Sequence, residues 1–183
     1  MKADELRKKY AAGIRDFTDV NLSEADLTGS DLRGAILDGA ILDGANLSHA
    51  NLTQTSLMNA DLNGANLSDA DFTGSNLAGA ILDGAILDRA ILDGVNLSQA
   101  DLTVAKMIET NLSAAELQEA SLKGANLDGA DLSGSDLTVA DLTQANLTQA
   151  DLNDANLNGA NLDGANLEGT ILDESMIPRA DTD

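Results

Sequence analysis

Large apolar residues recur at every fifth position of the chain. From Phe17 the step of five lands on Leu22, Leu27, Leu32 and onward to Leu172 and Ile177. All 33 of these centres are Leu except Phe17, Phe72, Met107 and Ile177, and no insertion breaks the step. Two residues before each centre stands a small residue: of 32 such positions from Val20 to Ser175, 23 are Ala. A period of five matches neither the helix nor the flat strand. The gap of two keeps small and large residues on one face of extended backbone. The gap of three demands a bend that returns the chain to the same interior. Each unit therefore predicts one short side and one corner. Gly29, Gly34, Gly39 and Gly44 fall at corners, where Gly accepts positive φ.

Corners of one hand wind such a chain into a coil whose turns bond edge to edge at about 4.8 Å. Leu stacks on Leu inside. The residue before each centre and the two after it point outward, and they are mostly Asp, Asn, Ser, Thr, Gly and Gln. Like charges one turn apart are unfavourable, but they do not choose the number of sides. A twenty-residue turn stacks three acidic pairs (Glu116/Asp136, Asp131/Asp151, Asp154/Glu174), and a fifteen-residue turn stacks four.

Units such as Ala25-Asp26-Leu27-Thr28-Gly29 and Ala65-Asn66-Leu67-Ser68-Asp69 resemble the motif of the pentapeptide repeat family. An uninterrupted repeat is diagnostic of a solenoid, and the resemblance covers about residues 15–177. It implies an all-β, right-handed quadrilateral β-helix of about eight coils, or about 39 Å of stack. The opening segment Tyr10-Ala11-Ala12-Gly13-Ile14-Arg15-Asp16-Phe17 is similar to that of many cyanobacterial members.

The ends differ from the repeat. Residues 1–14 are read as an N-terminal cap, with a helix over residues 4–12. Leu6 and Tyr10 lie one helical turn apart and pack toward Phe17. Asp4 is placed to cap the helix start and Gly13 to end it. Residues 178–183 form a tail, and Pro178 blocks further strand pairing. Ile171, Met176 and Ile177 therefore mark a thinly covered C-terminal coil. A monomer with a folded tail is the favoured reading, and an end-to-end dimer through this coil is the alternative.

Charge narrows the partners. The net charge is -21, with +3 in residues 1–15 and -24 in the remainder. Such a body repels nucleic acid and anionic membranes, and it suits a basic partner protein. On four sides the repeat's acids divide six, seven, six and eight. There is no cysteine, so neither a disulfide framework nor a thiolate metal site is expected. The charged N-terminus without a following apolar run predicts no signal peptide or membrane span, hence a cytoplasmic protein.

Catalytic chemistry has no foothold. His49 is the only histidine, and it falls at an outward corner. The Leu-Asp-Gly triplets at Asp38, Asp43, Asp83 and Asp93, and the related Leu87-Asp88-Arg89, lack the Gly-rich calcium repeat pattern. No catalytic residue, metal or cofactor is predicted. The informative positions are outward apolar residues where Asp or Asn is usual: Ile36, Ile41, Ile81, Ile86, Ile91 and Ile171. With a twenty-residue turn, Ile86 lies over Lys106 and Asp88 over Ile108, while Arg89 lies between Asp69 and Glu109. Ile86, Arg89, Val104, Lys106 and Ile108 thus form the least stereotyped surface, a mixed apolar and basic patch suited to protein binding.

Three functions compete. The first is a non-catalytic scaffold that binds another protein. The second follows from the resemblance, since some family members mimic acidic duplex DNA and bind DNA gyrase. That subgroup, however, joins through a C-terminal helix and some members carry interrupting loops, and neither feature is seen here. The third, an enzyme or metal-binding role, has the least support.

Overall fold

The structure is a computed structural model, and it describes residues 1–172. Every β-bridge is parallel and joins a residue to the one twenty positions later, from Asp16↔Ile36 without a gap to Asp151↔Ile171. One turn therefore contains four five-residue units. This register supplies what charge spacing left open. Glu116↔Asp136 and Asp131↔Asp151 are bridged neighbours despite their like charge. Each of these Asp carboxylates bends back to accept an amide of its own unit: Thr138, Ser133 and Asn153 respectively.

The four sides are named in chain order by the columns that start at Asp16, Asn21, Asp26 and Asp31. One unit shows the bonding. Leu87 N–H donates to Lys106 O at 2.6 Å, Lys106 N–H to Ala85 O at 2.9 Å, and Arg89 N–H to Ile108 O at 2.9 Å. Within the turn itself, Ala90 N–H donates to Leu87 O at 2.9 Å. Each side contributes a single bridged residue, too short for a strand, so the wall is β-bridged throughout without named strands.

The corner residue, third in each turn, is left-handed at every unit from Asp19 to Gly169, with φ between 47° and 72°. Gly suits this conformation, but many corners carry side chains. Those side chains lie along the wall toward the next coil. Where that coil has Gly, as at Gly39 below Asp19 and Gly79 below Asn59, the missing Cβ leaves room for them.

The core is a stack of Leu and Ala rows, with Phe72 fully buried among them. Most of its few inward hydroxyls are locally satisfied. Ser75 donates to Leu52 O, Thr55 donates either to the same carbonyl or to Ser75 Oγ, and Thr110 donates to Leu87 O. Ser135 Oγ has no partner among the described residues.

Helix α1 spans Ala3–Ala11. Lys2, not Asp4, is its extended N-cap residue, and it makes no side-chain cap bond. Its carbonyl already accepts the Glu5 and Leu6 amides, which places Asp4 inside the first turn, paired with Arg7 at 3.4 Å. The C-terminus follows expectation. Gly13, at φ 92°, donates to Tyr10 O while Ile14 donates to Lys9 O, the paired bonds of a Schellman ending.

Candidate functional site

The wall's regular grammar defines what counts as a departure from it. Asp or Asn at the bridged position accepts the amide two residues on, as Asn66 does from Ser68 and Asp71 from Thr73. These Asx turns hold the side chain against its own backbone. Where that residue is Thr, as at Thr18, Thr28, Thr138 and Thr143, its hydroxyl adds a second bond. The amide and then the hydroxyl of Thr18 hold the Asp16 carboxyl below its usual pKa, while at Asp26, Asp136 and Asp141 the Thr hydroxyl leads and the amide adds to it.

The third side breaks this grammar. Its column reads Asp26, Asn46, Asn66, Ile86, Lys106, Asn126, Asn146, Asn166. In the lower column Asn146 Nδ2 donates to Asn126 Oδ1 at 2.8 Å, and Asn166 Nδ2 to Thr148 Oγ1 at 3.0 Å. Ile86 and Lys106 interrupt the run of Asn, and they bridge each other as the register required. Lys106 offers no acceptor to the Ile108 amide. Asp88 of the preceding coil accepts it instead, at 3.0 Å. The same substitution occurs on the first side, where Ser56 stands at the bridged position and Asp38 accepts the Met58 amide at 3.0 Å. Asp38 and Asp88 thus supply the capping carboxylate from the neighbouring coil where the unit below lacks an Asp or Asn of its own. The sequence places Asp88 over Ile108 but does not by itself assign the carboxylate to the Ile108 amide. The available signal was a missing Asx acceptor twenty residues later.

The proposed patch residues are partly brought together. Ile86 and Ile108 are half-buried, and Lys106 is exposed. Arg89 is already committed: Nε and Nη2 both reach Asp69, each at 2.9 Å. The guanidinium holds the Asp69 carboxyl below its ordinary range. His49 stands 3.9 Å from the same carboxylate, completing a ladder along this corner. Arg33 and Lys123 are likewise paired, with Asp31 at 2.8 Å and Asp141 at 3.6 Å. Among the described repeat residues Lys106 makes no ion pair, and Arg15, the other cation without one, is taken up by backbone carbonyls and the Tyr10 ring.

Val104 is the least expected member. It stands at the corner between the second and third sides, 56% exposed, with φ 47°. A β-branched residue there is a steric outlier that costs of the order of 1–3 kcal/mol. Val139, 57% exposed at φ 61°, repeats this at the corner between the first and second sides. Pattern reading passed over it because every corner was assigned to solvent alike.

The cap contacts are also built from named residues. Leu6 is fully buried and Phe17 nearly so, while Tyr10 packs against the core. The first coil presents carbonyl oxygens toward the helix. Arg7 Nη2 donates to Asp26 O and Tyr10 Oη to Arg33 O, both at 2.8 Å, and the N-terminal ammonium reaches Asn21 O. Arg15 lies 3.8 Å above the Tyr10 ring. Ile171 bridges Asp151 and is 53% exposed, and Met176 and Ile177 lie outside the described residues.

Comparison with known proteins decides the kinship. A family model described as pentapeptide repeats matches over residues 16–54, 40–79, 70–107, 105–144 and 135–173. The chain belongs to the pentapeptide repeat family. Pentapeptide repeat neighbours carry with them a right-handed β-helix, which agrees with the coil described above. The chain is similar to HetL, a pentapeptide repeat protein involved in heterocyst differentiation regulation from the cyanobacterium Nostoc sp. strain PCC 7120. That match is 32% identical, covers 97% of this chain and 100% of the other, and has a TM-score of 0.43. A trypsin-treated form of QnrB1, a plasmid-mediated fluoroquinolone resistance protein, is 25% identical over 87% of this chain and 82% of its own, with a TM-score of 0.79. A further Nostoc pentapeptide repeat protein, alr5209, is 36% identical over 63% of this chain and 80% of its own, with a TM-score of 0.41. Comparison with curated proteins finds no match.

Proposed function

We propose that this pentapeptide repeat protein is a non-catalytic, cytoplasmic scaffold that binds another protein through the third side. The observation that carries the reading is the interruption of the Asn column at Ile86 and Lys106, beside the strained and exposed Val104. The neighbouring coil supplies the lost amide acceptor through Asp88, so the wall keeps its backbone bonds while its surface changes. Ile86, Val104 and Ile108 offer apolar contact, and Lys106 offers a charge not already engaged. Arg89 contributes less directly, by fixing the Asp69 carboxylate at the rim. The strongly negative body favours a basic partner and disfavours direct contact with nucleic acid or anionic membrane. The protein acts as a monomer in this reading.

The test compares capture by the wild type with capture by Ile86→Asp and Lys106→Glu. Each variant is expected to lose the partner while its circular dichroism stays unchanged. Retention of that partner by both variants would refute the surface.

The likeness to QnrB1 and the charge of -21 favour a second reading, an acidic rod that stands in for duplex DNA at gyrase. A supercoiling assay at physiological salt separates the two, since a scaffold of the first kind leaves gyrase unaffected.

A further inference from the structure

Among the described residues Val104 and Val139 are the only β-branched residues at left-handed corners, and the only large apolar ones. Every other occupied corner is polar or charged except Ala114. The fold does not explain them. Their side chains extend toward the next coil, where Val104 Cγ1 and Val139 Cγ2 come within 3.3 and 3.4 Å of where a Cβ on Gly124 and Gly159 would sit. More than half of each valine remains open to solvent. A conformational cost without compensating burial points to a contact that the isolated chain does not make.

The two corners are also related in space. They bound the second side at its two edges, and Val139 follows Val104 by one and three-quarter turns, or about 8 Å along the axis. The wall between them carries Asp101 and Asp141, with Glu119 at the corner one coil before Val139. The single lysine there, Lys123, is tied to Asp141 at 3.6 Å.

We propose that Val104 and Val139 are paired anchors of a docking surface that crosses the second side diagonally. The occupant is a protein segment presenting apolar side chains among lysines or arginines. The local acids and the net charge of -21 select the cations, and the valines select the apolar groups. This rests on the scaffold reading and extends its surface around the corner at Val104.

The experiment uses the full chain and a short peptide of alternating leucine and lysine, with glutamate replacing lysine in the control. Val104→Gly and Val139→Gly are each expected to raise the melting temperature by about 2 °C and to weaken peptide binding about tenfold. Methyl chemical-shift changes should concentrate at the two valines, and the control peptide should not bind. A fall in melting temperature in either variant shows that the valine supports the fold and overturns the proposal. Unchanged affinity, or shifts spread evenly over four sides, overturns it as well. Ile86→Asp separates the two ideas. Loss of binding in Ile86→Asp with Val139→Gly unaffected leaves the third-side reading intact and removes this one. The opposite result does the reverse.

Discussion

Replacing Asp88 by Ala removes the acceptor that holds the Ile108 amide at 3.0 Å. A hydrogen bond to a charged group is worth about 1.5–3 kcal/mol when well shielded. This one is only partly buried, so water recovers some of the loss and the expected cost is about 1 kcal/mol. The structure also specifies a rescue. Lys106→Asn restores an acceptor within the same unit, in the geometry by which Asn126 and Asn146 hold the Asp128 and Thr148 amides at 3.3 and 3.2 Å. In that background Asp88→Ala should cost little, and the double-mutant cycle should show a coupling of about 1 kcal/mol. Native-state hydrogen exchange at the Ile108 amide reads this locally, with about fivefold faster exchange in Asp88→Ala and near wild-type exchange in the double variant. Urea unfolding gives the global value. Equal costs in the two backgrounds would refute the transferred-cap reasoning, as would a single-variant cost below about 0.3 kcal/mol.

Three further outcomes are expected. Phe72→Ala opens a cavity in a fully buried row and should cost about 3–5 kcal/mol in urea unfolding. Leu6→Ala should cost about 2–4 kcal/mol, with exchange rising first at the coil under α1, because Leu6 is the buried contact of the helix. Thr143→Val removes the hydroxyl that leads in lowering the Asp141 pKa. Carboxyl carbon titration should show the Asp141 midpoint move up toward the ordinary value. The sign follows from the lowered folded pKa. The bond stabilises above the unfolded Asp value near 3.9 and is lost as pH falls through the lower folded value, so the variant should lose the hydroxyl's share of this acid dependence and keep that of the backbone amide and Lys123.

The interior was legible because one spacing dictates it. Leu at every fifth position and Ala two before it leave no other way to share an inside, and the buried rows match those positions. The number of units per turn was not legible from residues, since a three- or four-sided coil uses the same unit. Acid spacing failed as a guide for a physical reason. Carboxylates such as Asp136 turn back to Thr138 and take a bond from Gln118 at 2.8 Å, so stacking them costs less than bare charges would. The α1 boundary slipped at Asp4 because a good capping residue was available, while the extended backbone actually sits at Lys2. The patch pairs Ile86/Lys106 and Asp88/Ile108 followed once the register was assumed. The strain at Val104 and Val139 did not, because positive φ was expected only of the Gly corners, whereas every described corner has it and a β-branched residue there is costly.

The twenty-residue register also sets how such a chain can change length. Inserting four units adds a whole coil and leaves every surface address above and below it aligned. Inserting one unit preserves the inward Leu and Ala rows but rotates everything that follows by a quarter turn. Placed between Ile86 and Lys106, one extra unit would carry the lysine to another face and separate Asp88 from the Ile108 amide, with the core unaware of the change. Folding therefore tolerates length variation in steps of five, whereas a binding face tolerates it only in steps of twenty. Gene duplication in this architecture can relocate a surface without disturbing the interior that supports it.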